Sequence, residues 1–301
     1  MKSISVVISV FNGEKYLQDC LSSVQDIATE IIVIDHGSTD ATVAIAKKFT
    51  EKIYQQENNP DRIDIQKNFG FKKAASDWIF SLDADERVAP ELIKEIKEKN
   101  ESADTAGYLI PRKNIIFNKW IEHTGWYPDY QLRLFKKGKL TYVKKHVHEE
   151  VVIEEKVEKL REPIIHENYQ TIYQFLHRGL MVYAPNEAEA LRANGYVFSY
   201  ADAIRFPFGE FLSRYFARKG YLDGFYGLML SLLMSFYHFA IFLYLWESEK
   251  FPDNINAQSL LAHELRKTKS EWKYWITSAR IEETKNPSSR FFLKTKRKLG
   301  L

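Results

Sequence analysis

Three short apolar runs, each rich in β-branched residues and each broken off by polar ones, constrain the fold more than any other feature. Ile4–Val10 gives way to Asn12-Gly13-Glu14, residues 30–34 to the run 35–40, and residues 78–82 to Asp83-Ala84-Asp85-Glu86. Unbroken runs of this kind read as strands buried on both faces, the pattern of parallel sheets between helix layers. Apolar residues at 16, 17, 20, 21 and 24 have helical spacing, and further helices are predicted over 42–49 and 64–75, with a short strand at 52–54. Strands alternating with helices over the first ninety residues predict an α/β fold with a doubly wound, mostly parallel sheet. In such sheets ligands sit beyond the carboxyl ends of the strands, where all three polar runs fall.

The pattern changes twice further along. From 107 to about 165 the chain reads as short strands with aromatic interruptions, such as Tyr108-Leu109-Ile110 and 131–136, expected to extend the sheet and carry acceptor loops. Beyond Arg205, Phe208, Phe211, Leu212, Tyr215 and Phe216 share one helical stripe, with Arg214, Arg218 and Lys219 off it, as in an interfacial helix. Residues 225–246 are almost wholly apolar and span about 33 Å as a helix, long enough to cross a bilayer. Lys250, Arg266, Lys267 and the terminal Lys294, Lys296, Arg297 and Lys298 disfavour a tail on the far side. The pattern therefore favours a helix pair lying in the cytoplasmic face of a membrane, with a buried helical hairpin or a dimer contact as the alternative. The expected organisation is an α/β domain over 1–205, in two parts divided at 105/106, then membrane-associating helices over 206–250 and a charged helical tail over 251–301.

Composition narrows the class. With 301 residues, 45% of them hydrophobic, the chain can bury a full core. A net charge of only +3, from 43 Lys+Arg against 40 Asp+Glu, argues against a nucleic-acid partner. The single cysteine, Cys20, excludes an internal disulfide and a cysteine metal site. The N-terminal apolar run is too short for a signal peptide, so a cytoplasmic catalytic part is expected.

The polar runs carry recognisable chemistry. At a strand-to-loop bend, Asp83 and Asp85 can both turn toward one divalent cation, Mg²⁺ or Mn²⁺, which takes its remaining ligands from water and substrate phosphate. Asp35 can accept hydrogen bonds from a base or ribose, and Gly37 lets backbone approach a ligand closely. Asp40 is as well placed to cap the following helix as to bind a ligand. His148 can complete a metal shell, meet a diphosphate or serve only structure, whereas His146 and His166 read as structural. Arg133 can pair with a diphosphate or a nearby carboxylate. Trp126 and Tyr127 can stack on an acceptor sugar or fill the core.

The ordered segments Val7-Ile8-Ser9-Val10-Phe11-Asn12, then 30–40 from Glu30 to Asp40, then Asn68-Phe69-Gly70, then Leu82-Asp83-Ala84-Asp85-Glu86 resemble the motifs of family 2 inverting glycosyltransferases. The resemblance covers residues 1 to about 90. It implies a GT-A fold, Rossmann-like with helices flanking the sheet, and a nucleoside-diphosphate sugar donor. It places Phe11 and Asp35 beside the base, Asp83 at the ribose or donor sugar, and Asp85 on the metal, with Asn12, Glu14 and Asn68 among the donor-binding positions. His36 departs from the motif, which often has a second Asp there. A narrower resemblance, carried by 125–135, His146-Val147-His148-Glu149 and Gly220-Tyr221-Leu222-Asp223-Gly224, points to the bacterial lipopolysaccharide inner-core β-glucosyltransferases, which transfer glucose to a heptose. It implies a UDP-sugar donor and a saccharide or lipid-linked glycan acceptor. An inverting transfer needs a base for the acceptor hydroxyl. Asp129 is the first candidate, because it opens an Asp-x-x-x-Arg segment resembling the family's acceptor-side motif, and Glu149 is the second.

Two readings compete. A nucleotidyltransferase would carry a Gly-rich, basic loop after the first strand, which Asn12-Gly13-Glu14 does not supply. A catalytically dead membrane scaffold would have lost its acidic motif, and Asp83 and Asp85 are intact.

Overall fold

A computed structural model describes residues 2–59, 63–99, 104–145 and 148–298, the side chains of 63, 144, 145 and 148–150 excepted. His146 lies outside the described residues. The chain divides into two compact units: 1–120 with 127–170, and 121–126 with 171–301. The helical unit thus begins at Thr171, upstream of the 206 at which the sequence pattern turns amphipathic, and it also claims a six-residue loop from the middle of the first unit.

The first unit opens as the runs predict, with strand β1 (Ile4–Val10), helix α1 (Leu17–Ser23), β2 (Glu30–Asp35), α2 (Thr42–Ala46), β3 (Ile53–Gln55), α3 (Ile63–Lys73) and β4 (Trp78–Asp83). Then come β5 (Glu86–Val88), α4 (Pro90–Lys99), β6 (Gly107–Ile116), β7 (Lys119–Trp120), β8 (Asp129–Lys136), β9 (Thr141–Lys145), β10 (His148–Val152), β11 (Val157–Lys159) and β12 (Ile164–Tyr169). Among the described residues, the main sheet runs β3-β2-β1-β4-β8-β6-β12-β5, with β7 and β11 paired to β6. β1, β2, β3 and β4 are mutually parallel, and β8 joins β4 antiparallel, so the sheet is parallel over its first four strands and mixed beyond them. β9 and β10 form a separate antiparallel hairpin.

Period-two alternation explains the two faces of β1. Ile4, Val6, Ile8 and Val10 are buried with Leu17, Cys20, Leu21 and Val24. Val7 turns the other way, into the layer of Ile32, Ile34, Phe71, Ala74 and Ile79. Helix α1, at seven residues, is too short to hold itself. Its buried Leu17 and Leu21 contribute about 1.5–3 kcal/mol each against the sheet.

The second unit holds α5 (Ile172–His177), a π-helical turn (Arg178–Tyr183), α6 (Ala184–Ala193), α7 (Asp202–Leu212), α8 (Phe225–Ser248), α9 (Ala257–Glu283) and α10 (Pro287–Lys298). Small residues bring α6 and α8 together: Ala184 and Ala188 are buried with Ala240, Ile241 and Leu245. Gly227 of α8 lies so close to the preceding turn that a Cβ there would sit 1.7 Å from the Gly220 carbonyl oxygen.

The stripe expected to lie in a membrane surface instead packs against protein. Phe211 and Leu212 are buried, the Phe211 and Phe216 rings lie 5.6 and 5.9 Å from that of Trp272, and Phe216 also stacks on Trp275. Helix α9 supplies those tryptophans, and an apolar stripe is covered equally well by a helix as by lipid. Among the described residues α8 is the helix long and apolar enough to cross a membrane.

Candidate active site

The carboxyl ends of β1 and β2 are laced into one surface. Asn12, held in the left-handed region at φ 48°, accepts the Thr39 N–H at 2.8 Å and donates its own backbone N–H to Ser38 Oγ at 2.8 Å. Glu14 accepts the Ala41 N–H at 3.0 Å, and Asp40 accepts the N–H groups of Glu14 and Thr42 at 3.1 and 3.0 Å. Asp35 is fully buried, and its carboxylate accepts the N–H groups of Gly37 and Ser38. Phe11 stands half-exposed at the rim. Behind this surface the buried His36 meets Ser9 Oγ through Nε2 at 2.6 Å, and burial lowers its pKa. Asn68 is engaged elsewhere: both ends of its amide clasp the Tyr142 peptide, at 2.8 and 2.9 Å.

At the end of β4 lies a charged network that the sequence reading only touched. One Asp83 carboxylate oxygen meets Lys67 Nζ at 2.8 Å, and the other meets Arg133, whose guanidinium also holds Glu86 at 2.6 Å. Arg133 thus meets carboxylates, one of its two expected partners. Glu86 is fully buried, accepts the Asp83 N–H at 2.9 Å, and lies 3.8 Å from Arg112. Burial pushes the Asp83 pKa up, but Arg133 and Lys67 outweigh it and hold the carboxyl well below the usual range. Asp83 is thus a permanently ionised, tightly held group.

Asp85 is placed differently. Its carboxylate lies 3.7 Å from His166 Nε2, because β12 pairs with β5 and sets His166 opposite Glu86. His166 Nδ1 is 2.7 Å from Asn114 Oδ1, which also accepts from Asn168 at 3.2 Å. Asn114 turns its amide NH₂ to Asp129 at 3.3 Å. Since that carbonyl oxygen can only accept, His166 donates from Nδ1, and in its neutral form presents the Nε2 lone pair toward Asp85. Carboxylate and imidazole are both suitable ligands for Mg²⁺ or Mn²⁺, with the remaining positions left to phosphate and water. Among the described residues no group of three or more His, Cys, Asp or Glu side chains converges on one point.

Asp129 opens β8 and is grasped from three sides: Arg112 Nε at 2.8 Å, Asn114 at 3.3 Å and Gln131 at 2.9 Å. Burial raises its pKa, but Arg112 and the amides outweigh it, so the carboxylate stays ionised. His148 and Glu149 lie on β10, their side chains outside the description.

With this geometry in hand the comparisons are decisive about family. Residues 5–151 match the profile of glycosyl transferase family 2. Residues 5–151 are a family 2 glycosyltransferase domain. The chain's relatives include an uncharacterised glycosyltransferase of Rickettsia felis, 27% identical over 89% of this chain and 98% of that one. The lipopolysaccharide core biosynthesis glycosyltransferase LpsC of Rhizobium meliloti is 29% identical over 52% of this chain and 60% of that one. Among solved structures, S. aureus TarS 1–349 aligns over 84% of this chain and 93% of that one, at 14% identity and a TM-score of 0.40, too loose a match to carry ligands across. The α/β fold of this glycosyltransferase is GT-A-like, with a helical region following it.

The narrower motifs find their physical reason in the helical unit of the glycosyltransferase. Asp223 is buried and accepts the N–H groups of Glu122 and His123 at 3.4 and 2.9 Å and His123 Nδ1–H at 3.1 Å. Arg214 donates to the Thr124 carbonyl at 2.7 Å and lies over the Trp126 ring at 5.6 Å. Trp126 thus serves this loop's packing. Lys67, Glu86, Arg112 and Asn114 are not singled out by the sequence, where His166 reads as structural; strand register brings Arg112, Asn114, Asp129 and His166 together, and α3 brings Lys67 to Asp83.

Proposed function

We propose that this glycosyltransferase inverts the anomeric centre of a UDP-sugar, with glucose as the sugar, and delivers it to a saccharide acceptor. That acceptor is a heptose of a lipopolysaccharide inner core or another lipid-linked glycan, met at the cytoplasmic face of a membrane. The observation that carries the reading is the chain Asp85–His166–Asn114–Asp129, which joins a cation-ligand pair to a held carboxylate. The motifs over residues 1 to 90 and the printed name of the LpsC relative support the donor and acceptor classes. Phe225, Leu232, Phe236 and Leu243, exposed along α8, support a membrane-side location.

In this mechanism Phe11, Asn12, Glu14 and Asp35 shape the base and ribose end of the donor site, while Asp83 positions the sugar from its Lys67–Arg133 clamp. A divalent cation, held by Asp85 and His166 with His148 as a further ligand, would offset charge on the departing diphosphate. Asp129 takes the proton of the acceptor hydroxyl as that oxygen bonds to the anomeric carbon and the bond to UDP breaks. Arg112 keeps Asp129 ionised for the task. Glu149 is the alternative base.

A donor screen reading UDP release tests this, run with Mn²⁺, with EDTA, and with Asp85→Ala and His166→Ala. UDP release that needs acceptor and cation and falls in both variants supports the reading. Release of pyrophosphate from a nucleoside triphosphate incubated with a sugar phosphate would favour a nucleotidyltransferase, and failure to bind any UDP-sugar would favour the inert scaffold.

A further inference from the structure

Helix α10 turns its apolar residues the wrong way for a helix that only packs on its neighbour. It starts cleanly: Asn286 Oδ1 accepts the N–H groups of Ser288 and Ser289 at 2.9 and 3.2 Å, and Pro287 takes the first helical position. Leu293 and Arg297, four residues apart and so on one face, are its half-buried side chains. Arg297 bonds Ser278 at 3.0 Å and lies over the Tyr274 ring at 5.3 Å, so this face lies on α9. Phe291 and Phe292 point elsewhere and are 73% and 67% exposed. No residue of α10 is buried, and its sequence, PSSRFFLKTKRK, carries five cations and no acid.

We propose that α10 is a membrane-docking helix that seats Phe291 and Phe292 in an anionic lipid surface, with Arg290, Lys294, Lys296 and Lys298 around them as the electrostatic contact. Two adjacent large aromatic side chains ringed by cations match a bilayer with acyl interior and anionic headgroups. An acidic protein groove would answer the charge and leave the aromatic pair without depth to enter; a nucleic acid would do the same. The stripe at 208–216, by contrast, is covered by α9 and is not available. This inference deepens the membrane-side location proposed above and is independent of donor chemistry.

The test is vesicle flotation of the full chain without nucleotide sugar, on phosphatidylcholine alone and on phosphatidylcholine doped with phosphatidylglycerol. Binding is expected on the anionic vesicles and not on the neutral ones. Each of Lys294→Gln, Lys296→Gln and Lys298→Gln should weaken it about fivefold, and each of Phe291→Ser and Phe292→Ser by about tenfold or more. High salt should erase the lysine contribution and leave the phenylalanine one. These side chains support no core, so circular dichroism and donor hydrolysis should be unchanged. Undiminished binding by the double phenylalanine variant overturns the proposal. So does a wild-type chain that ignores both vesicles, or variants that change only the oligomeric state, which would make the face a contact with a second copy. Loss of transferase activity with intact flotation would instead count against the proposed reaction alone.

Discussion

Replacing Arg133 by methionine removes the centre of the charged network while keeping much of the side-chain volume. Arg133 is 4% exposed, bonds both Asp83 and Glu86, and Glu86 is fully buried. Taking one partner from a buried ion pair costs about 3–5 kcal/mol, because the other charge is left without compensation. Lys67 remains 2.8 Å from Asp83 and Arg112 remains 3.8 Å from Glu86, which places the loss near the lower end, about 3 kcal/mol. The loss should depend on pH in a determined direction. Asp83 has a depressed pKa in the folded protein, so it contributes stability that is present above the unfolded value, about 3.9, and is lost as pH falls through the folded value. Weakening that depression costs its full amount from neutral pH down to about pH 4 and progressively less from there toward pH ~2. Urea unfolding at both ends of that range measures it. Adding Glu86→Gln to the Arg133→Met chain should recover part of the loss by removing the uncompensated charge. A loss under about 1 kcal/mol at neutral pH, or one equal at both ends of the range, would show that the network does not hold this end of the sheet.

Three further substitutions separate chemistry from scaffold. Asp85→Ala should abolish transfer with circular dichroism unchanged; full activity of that variant in EDTA would remove Asp85 from the mechanism. Asp129→Asn should leave UDP-sugar binding intact and lower kcat roughly a hundredfold or more, and if Glu149→Gln does this instead, the base is Glu149. Gly227→Ala places a methyl 1.7 Å from the Gly220 carbonyl oxygen and should destabilise the helical unit by at least about 1–3 kcal/mol, seen as a lowered Tm.

The first ninety residues were legible because their signals are local. Ile4–Val10 was read to the residue, and the strand ending at Asp83 one residue short. The polar surface at the strand ends follows from topology, and with the family 2 resemblance it singles out Asn12, Asp35, Asp83 and Asp85 as candidates. His166 could not: it lies some eighty residues from Asp85 and reaches it only through the β12–β5 register. Arg112 and Asn114 are hidden likewise, as ordinary polar residues until pairing brings β6 and β8 together, while Lys67 reaches Asp83 from α3 and Glu86 is held by Arg133 of β8. The helical half failed in another way. Periodicity shows that the 208–216 stripe must be covered and is silent on what covers it; Trp272 and Trp275, far along the chain, supply the answer. A cut before residue 206 would therefore strip Ala184 and Ala188 of α8 and bare a core.

The loop 121–126 answers to the helices while its flanks answer to the sheet, and that imposes a rule on any recombination of this chain with its relatives. A crossover that exchanges everything after residue 170 imports foreign side chains at the positions of Asp223 and Arg214. It leaves behind the His123 and Thr124 groups that these side chains bind. Such a hybrid inherits a lock from one parent and the key from the other. Viable chimeras need two grafts, the helical half and the six-residue insert together, and substitutions in one should be tolerated only alongside matching substitutions in the other.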